Sequence, residues 1–395
     1  MADPDAMMRG TLGDFFSISR EKGSEGLPTL SVTMYDGLVR RDSIDRKTDS
    51  ELEDGAHLRV RPGDIAYNMM RMWQGASGLA TEDGIVSPAY VVVRPKKMID
   101  PLFASYWFKS ERMIYLFWAY SYGLTNDRLR LYAKDFTQIP VEVPPLHQQR
   151  KIAEILSDFD RSIEFIGTLA VAKEKRKQGL MQQLFNDGPQ TELSKVAKIS
   201  FSGVDKKISV GETQVKLCNY TDVYNSARIE GDLPFMEATA SQAEIARFTL
   251  KAGDVLFTKD SEAADDIAAS AYVPNDLPGV ICGYHLALAR AKPKLIDGRF
   301  LAYSLRTPEV RNQFRKLANG VTRFGLNMDA FDHARIRVPN LSRQHLVSEA
   351  LHDCDLELEA LDRQRNLLRQ QQRGVRQTLL GGTVNASHEL LEGVI

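Results

Sequence analysis

The stretch Ile152–Ala170, which reads IAEILSDFDRSIEFIGTLA, places apolar residues alternately four and three positions apart. This spacing keeps one apolar stripe on one side of an α-helix, as in a coiled coil. The stripe resumes after an interruption by Lys173 and Lys177. We therefore predict a long helix over residues 146–186 that packs against a second helix. Its seam residues are Ile152, Leu156, Phe159, Ile163, Ile166, Leu180 and Leu184.

A second stretch repeats this pattern, and Val347 follows Ile152 by 195 residues. It predicts a helix over 341–380, in which Arg365 and Gln372 interrupt the apolar stripe. Polar residues within a seam either fix its register or face a partner. We therefore expect the two helices to pair along their seams. The second seam contains Val347, Leu351, Leu358, Leu361, Leu368, Val375 and Leu379.

The segments that precede the two helices also repeat each other. Gly63-Asp64-Ile65 is echoed by Gly253-Asp254-Val255, and Gly123-Leu124-Thr125 by Gly320-Val321-Thr322. Apolar runs at 89–93 and 286–289 predict strands, whereas 100–120 and 297–317 predict helices. The predicted fold class is α+β, with two similar globules separated by the two long helices. The predicted domains are 10–145, 146–186 (first helix), 190–340, 341–380 (second helix) and a tail at 381–395.

The composition is that of an ordinary globular protein. The chain has 395 residues, with 51 Lys and Arg against 52 Asp and Glu, which excludes a basic DNA-coating protein and an acidic disordered chain. Cys218, Cys282 and Cys354 form no C-x-x-C pair, so they indicate neither a disulfide framework nor a zinc site. The most apolar stretch, 113–124, is too short to span a bilayer. We expect a cytoplasmic protein without membrane contact.

Familiar catalytic motifs are absent from the sequence. It contains no P-loop, no dinucleotide-binding glycine motif after a strand, no H-E-x-x-H and no G-x-S-x-G. The run Val143–Leu146 lacks the polar and aromatic residues that flank the prolines in amino-methyltransferase loops. His345 and His352 lie two helical turns apart, too far for one metal ion. The sequence therefore predicts no catalytic residue and no metal site in this chain.

Each globule has two loops that combine basic, amide, hydroxyl or aromatic side chains. Arg and Lys can bridge guanine, Asn and Gln can bridge adenine, and all of them can hold phosphates. The loops at Gly123 and Gly320 are equivalent but differ in sequence, which suits a reader whose halves recognise different bases. Alternatively, these are ordinary polar loop residues. The DNA-binding candidates are Asn68, Arg71, Trp73, Gln74, Thr125, Asn126, Arg128, Arg130, Lys259, Ser261, Thr322, Arg323 and Asn327.

Neither globule carries a surplus of positive charge. Residues 10–145 hold 17 basic and 18 acidic side chains, and residues 187–340 hold 20 basic and 19 acidic ones. Non-specific DNA affinity grows with the number of phosphates that a protein neutralises. We therefore expect weak binding by the isolated chain, with further cations supplied by local clustering or by partner subunits.

Several motifs resemble type I restriction-modification specificity (S) subunits. The runs 143–160 (VPPLHQQRKIAEILSDFD) and 175–185 (KRKQGLMQQLF) are similar to the conserved region of that family. More degenerate copies lie at 338–355 and 372–380, where His345 replaces Arg150 and Asn340 replaces Pro145. The blocks RPGDI (61–65) and GIVSPAY (84–90) resemble the family's target recognition domains. The likeness extends from Thr11 to Leu380.

This resemblance implies that each globule reads one half of a bipartite site in double-stranded DNA. The long helices would pack antiparallel, giving a pseudo-two-fold molecule whose helices set the spacer between the half-sites. Two modification subunits, which are S-adenosylmethionine-dependent adenine-N6 methyltransferases, would dock on this chain together with endonuclease/translocase (restriction) subunits. Catalysis, S-adenosylmethionine, ATP and Mg would belong to those partners, so this chain would be non-catalytic and without a cofactor.

Two other classes of function remain open from the sequence. One is a coiled-coil protein-interaction scaffold whose globules bind peptides and have no DNA specificity. The other is a nuclease with an unrecognised carboxylate site, which would cleave DNA in the presence of Mg²⁺ without other subunits. DNA binding with a methyltransferase present argues against the scaffold, and the absence of cleavage by the purified chain argues against the nuclease.

Overall fold

The computed structural model describes residues 6–24, 26–44, 57–125 and 128–381. Contacts divide the chain into two compact units. Unit 1 combines Met1–Gly167 with Arg363–Ile395, and unit 2 is the continuous segment Thr168–Asp362. Unit 1 is therefore built from both ends of the chain, whereas unit 2 is built from its middle.

Unit 1 is organised around an antiparallel four-stranded sheet with the strand order β2-β9-β6-β7. A separate ribbon pairs β1 with β10 and brings the start of the chain beside the entrance to the first long helix. The strands of unit 1 are β1 (Met8–Thr11), β2 (Phe16–Ser19), β3 (Leu30–Val32), β4 (Leu38–Arg40), β5 (Leu58–Val60), β6 (Ile65–Asn68), β7 (Ser77–Leu79), β8 (Gly84–Val86), β9 (Tyr90–Pro95) and β10 (Pro140–Val143).

Unit 2 repeats this arrangement with the order β12-β20-β16-β18 and the ribbon β11-β22, and it adds the sheet β14-β13-β19-β15. The strands predicted at 89–93 and 286–289 are confirmed as β9 and β20, which lie inside the two matching sheets. The strands of unit 2 are β11 (Gln190–Glu192), β12 (Ala197–Phe201), β13 (Thr213–Cys218), β14 (Met236–Ala240), β15 (Thr249–Leu250), β16 (Asp254–Thr258), β17 (Asp260–Ser261), β18 (Ser270–Tyr272), β19 (Leu277–Cys282), β20 (Leu286–Ala291), β21 (Phe324–Gly325) and β22 (Arg335–Arg337).

The helices follow the same repeat. The two long ones, α5 and α12, begin at Leu146 and Leu341 and end at Leu184 and Leu380. The helices are α1 (Leu12–Phe15), α2 (Pro101–Trp107), α3 (Glu111–Ala119), α4 (Ala133–Gln138), α5 (Leu146–Leu184), α6 (Leu193–Val196), α7 (Tyr220–Asn225), α8 (Gln242–Phe248), α9 (Gly298–Leu305), α10 (Pro308–Leu317), α11 (Met328–His333) and α12 (Leu341–Leu380).

The single helices predicted over 100–120 and 297–317 are wrong, because each segment forms two helices. In unit 1, the hydroxyl of Ser110 accepts a bond from the Met113 amide and starts α3 as a new helix. In unit 2, Pro308 lies in the first turn of α10. Proline lacks an amide hydrogen and cannot continue the preceding helix, so the chain turns before it.

A buried glutamine joins each long helix to its own globule. Gln149 accepts a bond from the Asp100 amide at 2.8 Å and donates to the carbonyls of Met98 and Pro144. Gln344 makes the matching three bonds in unit 2, to the amide of Asp297 and the carbonyls of Leu295 and Pro339. Both side chains are fully buried, so each amide satisfies backbone groups that water cannot reach.

A carboxylate and an arginine also form the same bidentate pair in both central sheets. Asp64 binds Arg94 with two contacts of 2.8 Å, and Asp254 binds Arg290 with contacts of 2.9 and 2.8 Å. These aspartates belong to the echoed Gly-Asp-apolar motifs. Each carboxylate is almost fully buried and also accepts a backbone amide three residues before it. The motif is thus a structural clamp between neighbouring strands.

The long helices pair antiparallel inside each unit. In unit 2, Lys177 binds Asp355 at 2.5 Å and Lys173 binds Glu357 at 2.8 Å. Residue numbers rise along one helix as they fall along the other, so the helices are antiparallel. In unit 1, Asp160 accepts a bond from Gln372 at 2.6 Å. The ends of the same helices add apolar residues to the two globular cores. The predicted α+β fold with an internal repeat and long antiparallel helices is confirmed.

Candidate nucleic-acid interface

In unit 2, the two predicted loops lie against each other. The amide of Leu326 donates to the carbonyl of Lys259 at 2.8 Å, and β17 pairs with β21 through Asp260 and Gly325. Together with the turn that precedes β20, they form one continuous surface. We call loop face 2 the residues Lys259–Ser261, Tyr284–His285 and Asn319–Asn327.

Asp260 is the electrostatic centre of loop face 2. Its carboxylate contacts Nδ1 of His285 at 2.5 Å and the guanidinium of Arg323 at 3.0 Å. The aspartate side chain is only 16% exposed, whereas that of Arg323 is 63% exposed. A shielded anion therefore fixes a cation that points to the surface, and a fixed guanidinium loses less entropy when it binds a base or a phosphate.

Lys259 lies between two aromatic rings. Its ammonium group is 4.8 Å from the ring centre of Tyr284 and 5.1 Å from that of Phe201. Cation–π contacts of this kind attract the ammonium group to the ring faces and restrict the side chain. Loop face 2 thus presents two positioned cations, Lys259 and Arg323, beside the exposed ring of Tyr284.

The remaining candidates of unit 2 divide into exposed and structural residues. Thr322 is exposed on the loop, whereas Ser261 is buried. The side-chain oxygen of Asn327 accepts the amide of Ala330 at 2.9 Å and caps α11. Its amide group remains on the surface, but its oxygen is committed to the helix start.

In unit 1, the turn after β6 is held by its own side chains. Asn68 accepts the amide of Met70 at 3.0 Å, and the indole of Trp73 donates to the carbonyl of Met70 at 3.0 Å. The guanidinium of Arg71 donates to the amide oxygen of Gln74 at 3.1 Å. Trp73 and Gln74 are half-buried, so Arg71 is the candidate that this turn exposes most fully.

The second loop of unit 1 joins this turn by the same contact as in unit 2. The amide of Leu131 donates to the carbonyl of Met69 at 2.9 Å, and Tyr122 pairs with Arg130 at the loop base. Thr125, Arg128 and Arg130 are exposed, and Asn126 lies outside the described residues. We call loop face 1 the residues Asn68–Ala76, Tyr122–Thr125 and Arg128–Leu131.

Sequence reasoning missed several members of these surfaces. Tyr284 and His285 complete loop face 2, and His285 adopts the left-handed backbone with φ of 70°. Such a conformation is uncommon for a non-glycine residue and cannot be recognised from sequence. By contrast, the echoed glycine motifs mark Leu124 and Val321 as equivalent loop residues in the two units. Their side chains are 94% and 92% exposed.

The predicted seam residues lie on the inner sides of the two long helices. Those that are buried are Ile152, Leu156, Ile166, Val347 and Leu351. Those that are half-buried are Phe159, Ile163, Leu180, Leu184, Leu358, Leu361, Leu368, Val375 and Leu379. The polar interruptions Lys173, Lys177 and Gln372 bind carboxylates on the facing helix.

A second pair of contacts that the sequence did not reveal ties each globule to the helix pair. The hydroxyl of Tyr106 donates to Asp160, and that of Tyr303 donates to Asp355, each at 2.5 Å. These are the same aspartates that bind Gln372 and Lys177. Burial and the neighbouring carboxylate raise the pKa of both phenols, so they stay protonated and act as donors.

Reactive groups are scarce in the described ranges. No cluster of three histidine, cysteine or carboxylate side chains that could hold a metal ion occurs there. Burial raises the pKa of the Cys218 and Cys282 thiols, which therefore stay protonated near neutral pH. The same part of the chain contains no helix that is long and apolar enough to cross a membrane.

Comparisons with known proteins agree with this architecture. The MjaVIII type I restriction enzyme specificity subunit of Methanocaldococcus jannaschii is 22% identical over 358 residues, covering 84% of this chain and 83% of the relative. A solved chain of a type I R-M system, described for its complex assembly and conformational transition, superposes with a TM-score of 0.60 at 14% identity, over 97% of this chain and 98% of its own. The S subunit from M. genitalium gives a TM-score of 0.57 at 13% identity, over 96% and 97%.

The sequence model of one family matches both halves of the chain. It is described as the type I restriction modification DNA specificity domain, and it matches residues 60–171 and 209–369. The matched segments together span more than half of the sequence and include the central strands β6 and β16 of the two units. The chain therefore belongs to the type I restriction-modification DNA specificity family.

Proposed function

We propose that this chain reads a bipartite site in double-stranded DNA, with loop face 1 on one half-site and loop face 2 on the other. The observation that carries the proposal is the repeated backbone bond between the two loops, from Leu131 to Met69 and from Leu326 to Lys259. One scaffold therefore presents two loops together in each unit, although their side chains differ. A protein that recognises two half-sites of different sequence requires such a combination of a common scaffold and different loop side chains.

The side chains of each face suit DNA. Arginine can bind the O6 and N7 atoms of guanine with two hydrogen bonds, and lysine can bind the same atoms or a phosphate. Loop face 2 offers Arg323 and Lys259 in fixed positions, and loop face 1 offers Arg71, Arg128 and Arg130 on its surface. These few cations agree with weak binding by the isolated chain and stronger binding in a complex.

The partners in this proposal supply the chemistry. Two modification subunits, acting as S-adenosylmethionine-dependent adenine-N6 methyltransferases, dock on the long helices, and restriction subunits that use ATP and Mg join them. The specificity chain itself is non-catalytic, holds no cofactor and acts on DNA in the cytoplasm. Several exposed apolar side chains on the long helices support a docking role, namely Phe165, Val171, Leu346, Leu356 and Leu367.

The helices also set the unspecified spacer between the half-sites in this proposal. A continuous helix rises about 1.5 Å per residue, so its length converts directly into a separation. A site with two half-sites gains specificity because each mismatch costs roughly 1–3 kcal/mol, nearly additively. The modification subunit must also take its adenine out of the base stack, which a firm grip on both sides assists.

The experiment that tests the proposal is a methylation map. The chain is co-expressed with its modification subunit, and the host DNA is sequenced by a method that detects N6-methyladenine. We expect a single bipartite motif with a fixed gap, present only when this chain is present. Exchange of residues 10–145 for those of another family member should change one half-site and leave the other unchanged.

The exposed cation Lys294 provides a matched control, since it lies in unit 2 outside loop face 2. Lys294→Ala should leave the motif intact, whereas Arg323→Ala should relax or erase the half-site read by unit 2. If the subunits co-purify and no new methylated motif appears, the specificity proposal fails and the protein-interaction scaffold replaces it.

A further inference from the structure

Unit 2 contains a cleft of about 330 Å³ beside its half of the long helix α12. Helix α9, the segment around Arg228 and the end of β18 form its other walls. The ionisable side chains that line it are Arg228, Glu230, Tyr272, Arg299, Tyr303, Arg306, His352 and Asp355. Its volume falls at the lower end of the range for small-molecule sites.

The acidic side chains of this cleft already have partners. Glu230 binds Arg228 at 3.0 Å, and Arg228 also binds Glu359 at 3.0 Å. Asp355 binds Lys177 and the hydroxyl of Tyr303, each at 2.5 Å. These carboxylates are neutralised by groups other than Arg299 and Arg306.

Arg306 is a half-buried cation held by neutral groups. Its Nη2 atom donates to the carbonyls of Ala227 and Ser270, each at 2.8 Å. Burial lowers the pKa of its guanidinium, and the charge of Asp355 opposes this effect only in part. Such a group is costly to bury without an anion beside it, so its position favours a negatively charged ligand.

Arg299 adds a second guanidinium to this surface, and His352 adds an imidazole that can donate a hydrogen bond. The guanidinium of Arg299 lies 5.8 Å from the ring centre of Tyr272, which orients it along the cleft wall. Within the part of the chain that the structure describes, no carboxylate lies at ion-pairing distance from Arg299 or Arg306. His352 faces Arg299, Arg228, Asp353 and Asp355.

Unit 1 shows that the fold does not need all these cations. The tyrosine–aspartate bond is present there as Tyr106–Asp160. By the repeat, however, Leu102 occupies the place of Arg299, and Ser157 occupies that of His352. Only the half-buried cation persists, as Lys109 in place of Arg306. Because two of the three basic groups are peculiar to unit 2, they point to a ligand rather than to packing.

We propose that this cleft of unit 2 binds a phosphate group, with Arg299, Arg306 and His352 as its donors. Guanidinium groups match the oxygen spacing of phosphate, and an imidazole adds a third donor from the long helix. The volume exceeds that of phosphate alone, so the group is carried by a larger molecule. A nucleotide and the DNA backbone share this chemistry.

Thermal unfolding of the full chain in increasing inorganic phosphate tests the site, with ionic strength held constant by chloride. A saturable rise in Tm is expected, because a ligand that binds only the folded state stabilises it. Arg299→Leu and His352→Ser, which copy unit 1, should each weaken the apparent affinity by about tenfold or more. Lys294→Ala removes an exposed charge of the same unit and should leave the affinity unchanged.

Arg299→Lys controls for misfolding. It keeps the positive charge and should retain part of the phosphate binding. The proposal is wrong if phosphate gives no saturable rise, or if Arg299→Leu and Lys294→Ala behave alike. Addition of ATP or of a short DNA duplex then identifies the carrier. If a short duplex abolishes the rise in Tm that phosphate causes, the carrier is the DNA backbone. If ATP abolishes this rise and the duplex does not, the carrier is a nucleotide.

This test does not depend on the methylation map. Phosphate binding can be present when no sequence motif is methylated, and absent when one is. A cleft that binds no phosphate therefore leaves the specificity proposal unaffected. Likewise, the absence of a methylated motif leaves the phosphate proposal unaffected.

Discussion

Asp260 and Arg323 form an ion pair of 3.0 Å in which the carboxylate is shielded and the guanidinium faces outward. The two residues are 63 positions apart in sequence and meet because β17 pairs with β21. The orientation of this guanidinium is therefore fixed before DNA binds, unlike that of an arginine on a flexible loop.

Arg323→Ala should weaken binding to the cognate DNA by about 1–3 kcal/mol, or roughly 5–150-fold, and should relax specificity at one position. Asp260→Asn should weaken binding less, because Arg323 is retained but no longer anchored. Fluorescence anisotropy of the assembled modification complex on cognate and single-mismatch duplexes measures both effects. Equal affinities for Arg323→Ala and Lys294→Ala would falsify the assignment of loop face 2.

Gln149→Leu and Gln344→Leu should each destabilise the unit that contains them. Each substitution leaves a buried backbone amide and two carbonyls without their partner, at a cost of about 1–3 kcal/mol for each unsatisfied group. Urea unfolding followed by circular dichroism measures the loss. Gln148→Leu, on the same helix turn, should change stability little, and a similar loss there would contradict the proposed role.

Lys177→Met should destabilise unit 2 more than Lys177→Gln. The lysine and Asp355 are only 14% and 17% exposed, so methionine leaves a shielded carboxylate with Tyr303 alone. Glutamine, the residue at the equivalent position 372 in unit 1, retains a hydrogen bond to the carboxylate. We expect a difference of about 1–3 kcal/mol between the two variants in urea unfolding. Equal stabilities would show that a hydrogen bond from residue 177 to the Asp355 carboxylate contributes nothing beyond packing.

The stability of unit 2 should fall as the solution becomes mildly acidic. Burial, together with Arg299 and Arg228, holds the pKa of His352 below its usual value of 6.5. The unfolded chain therefore binds a proton near pH 6.5 that the folded chain accepts only at lower pH. Stability from this group is complete above pH 6.5 and is lost as the pH falls toward the folded pKa.

His352→Gln should flatten this part of the profile of unfolding free energy against pH, measured between about pH 7 and pH 5. His333 serves as a contrast, because hydrogen bonding to the Asp329 backbone and the Asp329 charge raise its pKa. Substitution of His333 should instead remove stability that is present at acidic pH. The same response from both variants would contradict these opposite shifts.

The helical repeat could be predicted because it depends on local spacing. A seven-residue apolar pattern repeated 195 positions later requires no knowledge of tertiary contacts. The breaks before Glu111 and Pro308 were also present in the sequence, as a capping serine and a proline, but apolar periodicity continued across them. There the local signal for a helix end was stronger evidence than the apolar pattern.

The contacts that shape the site could not be predicted in the same way. The pairs Asp260–His285 and Tyr303–Asp355 join residues 25 and 52 positions apart, and only the folded sheet order brings them together. The repeat did contain one unused signal. Gln149 and Gln344 occupy the same position in both copies, among neighbours that have diverged.

The division of unit 1 between the two ends of the chain affects how it folds during synthesis. Its core includes Leu380 with Leu12 and Leu156, whereas unit 2 is complete once Asp362 has left the ribosome. Domains generally fold as their residues emerge. Unit 2 can therefore form its core first, whereas the core of unit 1 can form only after the last turns of α12 have been synthesised. A messenger truncated before codon 363 would yield a folded middle and an N-terminal core left open to chaperones and proteases.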